Sequence, residues 1–312
     1  MQIIENTTEF YLERKSAVAL GKFDGIHLGH RRLLERVMEQ KKKGLQAVVF
    51  TFDTPVASFF GGDSKELSTR EEKREAFSRL GVDVLIEFPL NRETAATEPA
   101  DFVARYLAGQ MRTEYLCAGP DLSFGRGGAG DYALLAAYAG TYGYHVELID
   151  KVRVDGEEVS STRVRRAVRA GEMEKVSAML GAPYRVSGKV VHGRQLGRQL
   201  GMPTANLLPD ERKLLPPNGV YYSQAKLGDK IYRSISNVGY KPTVSEEKVM
   251  GVETYLYDFT GEIYDRDMTV ELLAFRRAEQ AFENVEALRK QIGADVEAGR
   301  KFESVFFCRK GL

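Results

Sequence analysis

Residues 192–206 combine glycine, arginine, threonine and asparagine in an order that suits the binding of phosphates. Glycine lets the backbone approach a bulky polar group closely, and arginine forms strong charge-assisted hydrogen bonds with anions. The stretch ends in Pro203-Thr204-Ala205-Asn206, a rigid turn that presents a hydroxyl beside an amide. Glycines alone would fit a flexible connection equally well, but this ending favours a site for nucleotide phosphates and a hard cation. The glycines and arginines of the stretch are Gly193, Arg194, Gly197, Arg198 and Gly201.

Two of the four histidines in the chain fall within residues 21–30, between a strand pattern and a helix pattern. The start of a helix offers free N–H groups and partial positive charge, so this segment predicts a phosphate site. Held there, His27 and His30 would bind a triphosphate and stabilise the charge that develops on it. Metal ligation is a weaker alternative, because no third and fourth ligand follows at a plausible spacing, and ordinary surface histidines are another. The other candidate phosphate contacts of this segment are Phe23, Asp24, Gly25 and Gly29.

A third cluster, at residues 160–165, places hydroxyls and guanidinium groups at another predicted helix start. Ser161, Thr162 and Arg165 would suit the phosphates of a nucleotide, although Ser and Thr are also ordinary helix caps. Residues 125–130 satisfy the Gly-x-Gly-x-x-Gly pattern, but in dinucleotide-binding proteins that pattern directly follows the first strand of a βαβ unit. Here it comes late in the predicted sheet. The position argues against a nicotinamide-dependent dehydrogenase and predicts a loop on the phosphate side.

The elements that must position these groups follow two different patterns along the chain. Up to about residue 150, short apolar segments alternate with amphipathic ones, which predicts a parallel sheet covered by helices on both faces. Ser68 and Glu71 form a predicted capping box, and Pro99 stands in the first turn of another helix. We predict strands at 16–20, 46–52, 82–88, 115–118 and 145–149, and helices at 29–43, 162–170 and 172–180.

After Pro183 the pattern changes to strands rich in Val, Ile and Tyr, followed by one clear helix. Strands followed by a terminal helix predict an antiparallel barrel or sandwich with the helix packed on it. A length of 312 residues is about twice that of a typical domain, so we expect two domains, at 1–182 and 183–312. The predicted strands are 184–192, 220–226, 231–238, 252–257 and 268–275, and the predicted helix is 284–297.

Composition and charge narrow the classes of partner. Hydrophobic residues make up 43% of the chain, enough to build real cores, and a formal net charge of +1 gives no electrostatic case for binding nucleic acid. The two cysteines, Cys117 and Cys308, form no disulfide framework, which fits a reducing compartment. The N-terminus lacks the features of a signal peptide, and no apolar run is long enough to span a bilayer. We therefore expect a soluble, cytoplasmic protein without a membrane partner.

Taken in order, the three motifs resemble those of a known enzyme family. Residues 21–30 resemble the His-x-Gly-His motif of the nucleotidyltransferase superfamily, and residues 160–165 resemble its later Ser/Thr-Arg phosphate motif. Residues 193–206 are similar to the nucleotide loop of riboflavin kinases. Their order, spacing and total length resemble the bacterial bifunctional riboflavin kinase/FMN adenylyltransferases, also called FAD synthetases, essentially from end to end.

The resemblance implies a first domain with an α/β, Rossmann-like nucleotidyltransferase fold, which moves AMP from ATP onto FMN and yields FAD and pyrophosphate. It implies a second domain that phosphorylates riboflavin to FMN and is an antiparallel, riboflavin kinase-like β-barrel of six strands with a C-terminal helix. In the first domain, His27 and His30 would contact the ATP phosphates, and Asp121 would lie near the flavin. The phosphate site would be completed by Ser161, Thr162 and Arg165.

In the barrel, the resemblance makes Thr204 and Asn206 the ligands of Mg²⁺, with ATP as co-substrate. Glu253 falls on the family's catalytic base, which would take the proton from the 5′-hydroxyl of riboflavin. The residues alone leave open whether this carboxylate is a base with a raised pKa or points to solvent. Asn237 resembles part of the family's strand and turn next to the flavin, and Arg277 matches its Arg-x-Glu-x-x-Phe stretch before the last helix. From this resemblance we expect both residues to bind the flavin.

Three departures from the family pattern keep other functions open. Residues 52–56 lack the histidine of the common Phe-Asp-Pro-His-Pro run, Leu122 stands where an aromatic is usual, and Asp265 replaces a glycine near the flavin. The alternatives are a riboflavin kinase whose first domain is weak or regulatory, an adenylyltransferase for another substrate, and a non-catalytic flavin-binding protein. The expected ligands are riboflavin, FMN, FAD and ATP, and self-association stays open.

Overall fold

The computed structural model describes residues 1–192, 201–242 and 248–307, and its contacts divide the chain into two compact units, Met1–Ser161 and Thr162–Leu312. In this division the two short helices between residues 161 and 180 go with the second unit, apart from Ser161 itself. The expected catalytic domains, 1–182 and 183–312, stay a prediction.

The first unit, which is described throughout, contains a six-stranded sheet with the strand order β1-β4-β3-β2-β5-β6. All neighbouring strands are parallel, so the predicted α/β class is confirmed. The sequence analysis missed β1, because this edge strand is short and mostly exposed and therefore lacks an apolar pattern. The strands are β1 (Gln2–Glu5), β2 (Ser16–Leu20), β3 (Gln46–Phe52), β4 (Val84–Phe88), β5 (Thr113–Ala118) and β6 (His145–Leu148).

Helices cover both faces of this sheet. Val18 and Leu20 of β2 point into one apolar core, and Ala17 and Ala19 point into the other, so every residue of the strand is buried. Two short strands, β7 (Arg153–Val154) and β8 (Glu157–Glu158), form a separate hairpin. The helices are α1 (Leu28–Lys41), α2 (Val56–Phe59), α3 (Arg70–Arg79), α4 (Arg92–Ala95), α5 (Pro99–Asp101), the π-helical Phe102–Gln110 that continues it, and α6 (Tyr132–Tyr142).

The predicted capping box of α3 is wrong by one residue. Thr69, not Ser68, is the N-cap; its hydroxyl accepts the N–H of Glu72 at 3.2 Å, and its own N–H donates to the Glu72 carboxylate at 3.0 Å. Both registers offer a hydroxyl followed three residues later by a glutamate, so the sequence does not distinguish them. Proline at the first position of α5 is confirmed.

The topology of the sheet creates a crevice beside β2. The chain proceeds from β2 through β3 to β4 on one side, and β5 and β6 lie on the other side. The loops that follow the adjacent strands β2 and β5 therefore diverge at the carboxyl edge, and open parallel sheets bind their ligands at such a point. Residues 21–30 follow β2 and Asp121 follows β5, so the fold places both at this crevice.

The described part of the second unit forms a closed barrel in the order β10-β13-β12-β11-β14-β9, with all neighbours antiparallel. The prediction of an antiparallel barrel with a terminal helix is confirmed. The sequence analysis missed β10, because this strand is short and its first residues belong to the glycine-rich stretch that predicts a loop up to Asn206. The elements are α7 (Ser161–Arg169), α8 (Met173–Leu180), β9 (Tyr184–Val191), β10 (Ala205–Pro209), β11 (Gly219–Leu227), β12 (Lys230–Pro242), β13 (Lys248–Leu256), β14 (Asp267–Ala278) and α9 (Val285–Lys301).

The two sides of the barrel wall have different characters. Inside, fully buried hydroxyls form a chain in which neighbouring oxygens are 2.8 Å apart, running through Ser234, Ser223, Ser236 and Thr254. Outside, Ile235 and Tyr255 pack beneath α9. Because side chains alternate along a strand, the odd-numbered residues of β12 and β13, including Asn237 and Glu253, belong to this outer side.

No helix in the described ranges is long and apolar enough to cross a membrane.

Candidate functional site

His27 and His30 lie at the start of α1, beyond the carboxyl end of β2. His27 is the N-cap residue, and its Nδ1 accepts a hydrogen bond from the backbone N–H of His30 at 3.4 Å. The two rings stack with centroids 3.8 Å apart. A Cβ on Gly29 would come within 3.1 Å of the His27 ring, so glycine leaves room for the pair. The fold brings both histidines to one helix start, and their contact with phosphates stays a prediction.

Burial keeps both imidazoles neutral. It lowers the pKa of His27 from the ordinary value of 6.5 to about 4, and the nearby carboxylate of Asp24 offsets only part of this effect. Burial, together with the adjacent His27, also lowers the pKa of His30 well below its ordinary value. The Nδ1 atom of His30 is buried without a hydrogen-bond partner among the described residues. Neutral imidazoles can donate an N–H to an oxyanion without carrying charge themselves.

Asp24 connects the histidine segment to two other parts of the unit. Its Oδ1 accepts the backbone N–H groups of Leu67 at 2.7 Å and Ser68 at 3.4 Å. Its carbonyl oxygen accepts a hydrogen bond from the hydroxyl of Ser161 at 2.9 Å. Ser161 is therefore brought to the histidine segment. The sequence analysis missed the anchoring role of Asp24, because it depends on amides more than forty residues away.

The backbone between β2 and α1 adopts a shape that side chains seldom allow. Phe23 has φ +48°, Gly25 has φ +86° and Ile26 has φ +43°, and only glycine enters this region without strain. The ring of Phe23 is fully buried and lies 5.1 Å from the ring of His30, centroid to centroid. The Phe23 ring therefore packs against His30 from the buried side. Only the backbone of Phe23 is placed to contact a phosphate at the predicted site.

Asp121 stands on the other wall of the crevice, after β5, with an exposed side chain. Its carboxylate pairs with Lys151 Nζ at 2.8 Å, and the same ammonium pairs with Glu158 at 2.9 Å. Hydrogen bonds to these two carboxylates raise the pKa of Lys151. Lys151 is a cation at this edge that the sequence analysis missed, because no pattern marks it. Thr162 and Arg165 lie on α7, within the second unit, and their part in a phosphate site stays a prediction.

The barrel aligns three polar residues on neighbouring strands. Asn206 of β10 is the register partner of Glu253 of β13, and Glu253 is in turn the partner of Asn237 of β12. Directly opposed residues of antiparallel strands have Cβ atoms about 5 Å apart on the same face of the sheet. All three residues are half-buried. The fold thus forms an amide–carboxylate–amide row from residues that are far apart in the sequence.

The predicted nucleotide loop is described only at its end. Gly201 has φ +78°, a left-handed conformation that favours glycine, Pro203 is exposed, and Thr204 is half-buried directly before β10. Thr204 therefore stands two residues from the amide of Asn206. The other predicted residues of the loop, which lie outside the described residues, are Gly193, Arg194, Gly197 and Arg198.

The amide of Asn237 is held by Glu279, which follows β14. Asn237 Nδ2 donates to one carboxylate oxygen of Glu279 at 3.2 Å, and Asn218 Nδ2 donates to the other at 3.1 Å. Gly239 makes room for this carboxylate, because a Cβ at that position would overlap it. Glu279 therefore orients Asn237 at the edge of the row, and the predicted contact between Asn237 and a flavin stays a prediction.

Arg277 is engaged by the C-terminal helix. Its Nη2 donates to Asp295 of α9 at 2.6 Å, and its Nε donates to both oxygens of the same carboxylate at 3.0 and 3.2 Å. Arg276 Nε donates to this carboxylate as well, at 2.7 Å. A β-bulge opposite Val220 and Tyr221 turns both arginines to the same side. Burial alone would raise the pKa of Asp295, but the hydrogen bonds from Arg277 and Arg276 hold it below its ordinary value. Arg277 thus fixes α9 to the barrel, and its contact with a flavin stays a prediction.

Comparisons with known proteins match the two units separately and then the chain as a whole. A family model described as FAD synthetase matches residues 11–163, and one described as riboflavin kinase matches residues 180–303. The chain is 34% identical to the "Bifunctional riboflavin kinase/FMN adenylyltransferase" of Listeria monocytogenes, with 95% of each chain covered. It is 32% identical to the protein of the same name from Bacillus subtilis, with 94% of each covered.

A solved structure has the same fold over nearly the whole chain. This structure, "Crystal Structure of Macrolide-efflux Protein from Streptococcus pneumoniae", is 29% identical in sequence, with a TM-score of 0.85. The match covers 96% of this chain and 99% of that one. The Streptococcus pneumoniae protein is named for efflux, whereas the two curated relatives are named for flavin-forming activities.

Proposed function

The chain belongs to the family of bifunctional riboflavin kinase/FMN adenylyltransferases, and we propose on this basis that it makes FAD from riboflavin in two ATP-dependent steps. The barrel unit phosphorylates riboflavin to FMN. The sheet unit then transfers AMP from ATP to FMN and releases pyrophosphate. Riboflavin, FMN, FAD and ATP are the ligands that these reactions require, and a cytoplasmic location belongs to the same proposal.

One observation carries the assignment: a single chain joins a histidine pair at the crevice of a parallel sheet to a barrel that aligns Asn206 with Glu253. The first arrangement suits adenylyl transfer to an anionic phosphate, and the second suits phosphoryl transfer to a neutral hydroxyl. These are the two chemical steps between riboflavin and FAD, and both family models match in the corresponding halves.

In the sheet unit, the nucleophile is the phosphate of FMN, which is already an anion and needs no strong base. The protein has to orient the two substrates and stabilise charge on the α-phosphate and the departing pyrophosphate. The free N–H groups at the start of α1 and the neutral imidazoles of His27 and His30 are the donors for this task. Ser161, Thr162 and Arg165 complete the phosphate contacts in this proposal, and Asp121 with Lys151 forms the flavin side.

In the barrel unit, the nucleophile is the neutral 5′-hydroxyl of riboflavin, so a base contributes to the rate. Glu253 is the base in this proposal, and removal of its carboxylate is expected to slow phosphorylation by about a hundredfold or more. Asn206 and Asn237 flank it in the register and would hold the ATP phosphates and the flavin, respectively. Arg277 supports the flavin side through its connection to α9.

The residues beside Glu253 fit a magnesium ion. Thr204 offers a hydroxyl and Asn206 an amide oxygen, and Mg²⁺ is a hard cation that takes oxygen ligands, a few from the protein together with water and phosphate oxygens. The described residues contain no cluster of three or more His, Cys, Asp or Glu side chains, so a cage built by protein alone is not formed there. When bound, the ion neutralises negative charge on the transferred phosphoryl group.

Two substitutions separate the proposed sites. His30→Ala should abolish FAD formation from FMN and leave FMN formation from riboflavin nearly intact, and Glu253→Gln should do the reverse. His145→Ala and Glu297→Gln, at exposed positions of β6 and α9, are the matched controls. Loss of both reactions in one folded variant would contradict two independent sites. Loss of neither would remove these residues from the chemistry.

A further inference from the structure

Glu66 and Lys73 form a buried ion pair next to the residues that bind Asp24. Lys73 of α3 contacts Glu66 with its Nζ 3.0 Å from Oε1, and their side chains are only 10% and 6% exposed. Removing two charges from water is costly, and such a pair is often no more stabilising than apolar residues of the same size. A contribution to stability therefore does not by itself account for these two residues. Their position in the unit offers another role.

The pair fixes the segment that holds Asp24. Glu66 is followed directly by Leu67 and Ser68, whose backbone N–H groups donate to the Asp24 carboxylate. The side chain of Leu67 is almost completely buried, so this short segment is fixed both by packing and by the ion pair. A shift of Glu66 would move the two amides that hold Asp24.

The same helix also supports the histidine segment from the side. Phe77 lies one turn after Lys73 on α3, and residues four apart share a helix face. The ring of Phe77 meets the ring of Phe23 edge to face, with centroids 5.5 Å apart. One face of α3 therefore holds Asp24 through Lys73 and Glu66, and holds Phe23 through Phe77.

The backbone that these contacts hold is strained. Phe23 and Ile26 occupy the left-handed region, and such residues persist only where the surroundings impose the conformation. His27 comes directly after Ile26 and caps α1, so its ring position depends on this backbone. Asp24 lies within the strained stretch and is its polar attachment to the segment at Glu66.

We propose that the buried Glu66–Lys73 ion pair is a positioning device, which acts through Asp24 to hold His27 and His30 in the geometry required for adenylyl transfer. This inference rests on the function proposed for the sheet unit. Because both side chains are buried away from any bound substrate, the pair governs kcat for FAD formation more than KM for ATP. Glu66 and Lys73 are therefore positioning residues of this reaction.

The test uses single and double variants of the full-length chain. Glu66→Gln and Lys73→Met should each lower kcat for FAD formation from FMN by about tenfold, with KM for ATP changed by less than about threefold. Lys73→Met should also lower the thermal midpoint, because it leaves a buried carboxylate without its partner. Glu75→Gln, which breaks an exposed pair with Arg79 on the same helix, is the matched control and should leave kcat unchanged.

The double variant distinguishes positioning from stability. Glu66→Gln combined with Lys73→Met removes both charges, so the thermal midpoint should recover while kcat for FAD formation stays low. Lys73→Arg keeps the pair and should retain most of the activity. FMN formation from riboflavin is measured in every sample and should stay constant.

Recovery of kcat together with the thermal midpoint, or a kcat for Glu66→Gln equal to that of Glu75→Gln, would overturn the inference. Neither result would affect the proposed function, provided that the wild-type chain makes FAD and that His30→Ala abolishes this activity. A chain that makes no FAD before any substitution would instead refute the proposed function of the sheet unit.

Discussion

Acidification should destabilise the sheet unit through His27. The pKa of this group is lowered to about 4 in the folded chain from an ordinary value of 6.5, mainly by burial. Above pH 6.5 the imidazole is neutral in both states and adds no pH dependence. Between pH 6.5 and 4 the imidazole is protonated in the unfolded chain but not in the folded chain. The free energy of unfolding therefore decreases as the pH falls, until His27 is protonated in the folded chain as well. The difference between the two pKa values corresponds to about 3 kcal/mol.

Two neighbours set the size of this effect. The carboxylate of Asp24 favours the charged imidazole and is already included in the folded pKa of His27. Burial also lowers the pKa of His30, so protonation of His30 adds to the loss of stability at acidic pH. A variant that changes His27 alone therefore isolates only its own part.

His27→Asn is the suitable variant, because asparagine retains a side-chain oxygen that can cap α1 but does not titrate. Urea unfolding of both proteins would be followed at pH 7 and pH 4 by amide resonances from β2 and β3, which report the sheet unit alone. Effects of carboxylates common to both proteins cancel in the difference. The stability of the wild type relative to His27→Asn should fall by about 3 kcal/mol between the two pH values.

The reasoning would be refuted if that difference changed by less than about 0.5 kcal/mol, which is within ordinary additivity error. It would also be refuted if the His27 ring resonance titrated near pH 6.5. The chain has only four histidines, which simplifies the assignment of the His27 ring resonance.

The remaining predictions concern the barrel and the cap of α3. Asp295→Asn leaves Arg276 and Arg277 without their carboxylate and should lower the unfolding free energy of the barrel unit by about 3 kcal/mol in urea; an unchanged midpoint would show that Asp295 does not hold α9 to the barrel. Gly239→Ala places a Cβ against Glu279 and should raise KM for riboflavin by about fivefold or more, whereas Gly293→Ala, which has open space, should not. Thr69→Ala should cost about 1 kcal/mol in urea unfolding, and no loss would place the cap elsewhere.

Much of the fold follows from local sequence patterns. The central strands and α1 could be predicted because buried strands and amphipathic helices leave apolar repeats of different period. β1 and β10 could not be predicted this way. β1 is an exposed edge strand, and β10 is a short strand that begins inside a segment resembling a loop. The predicted N-cap of α3 was wrong by one residue because Ser68 and Thr69 are each followed three residues later by a glutamate and offer equivalent capping boxes.

The candidate sites divide along similar lines. His27 and His30 could be predicted as a pair, because residues three apart at the start of a helix lie close together. The alignment of Asn206 with Glu253 depends on strand register, which no local pattern fixes. No sequence pattern indicates that Asp24 binds the amide of Leu67, because that contact is formed only when distant segments pack.

The central claim is that one chain performs two successive reactions, and a time course tests it most directly. The purified protein would be incubated with riboflavin, ATP and Mg²⁺, and the flavins would be separated by chromatography at intervals. The account predicts that FMN appears first and FAD follows at its expense. Accumulation of FMN without FAD, even when FMN is supplied directly, would contradict adenylyl transfer by the sheet unit. Absence of any conversion in a folded sample would contradict both activities.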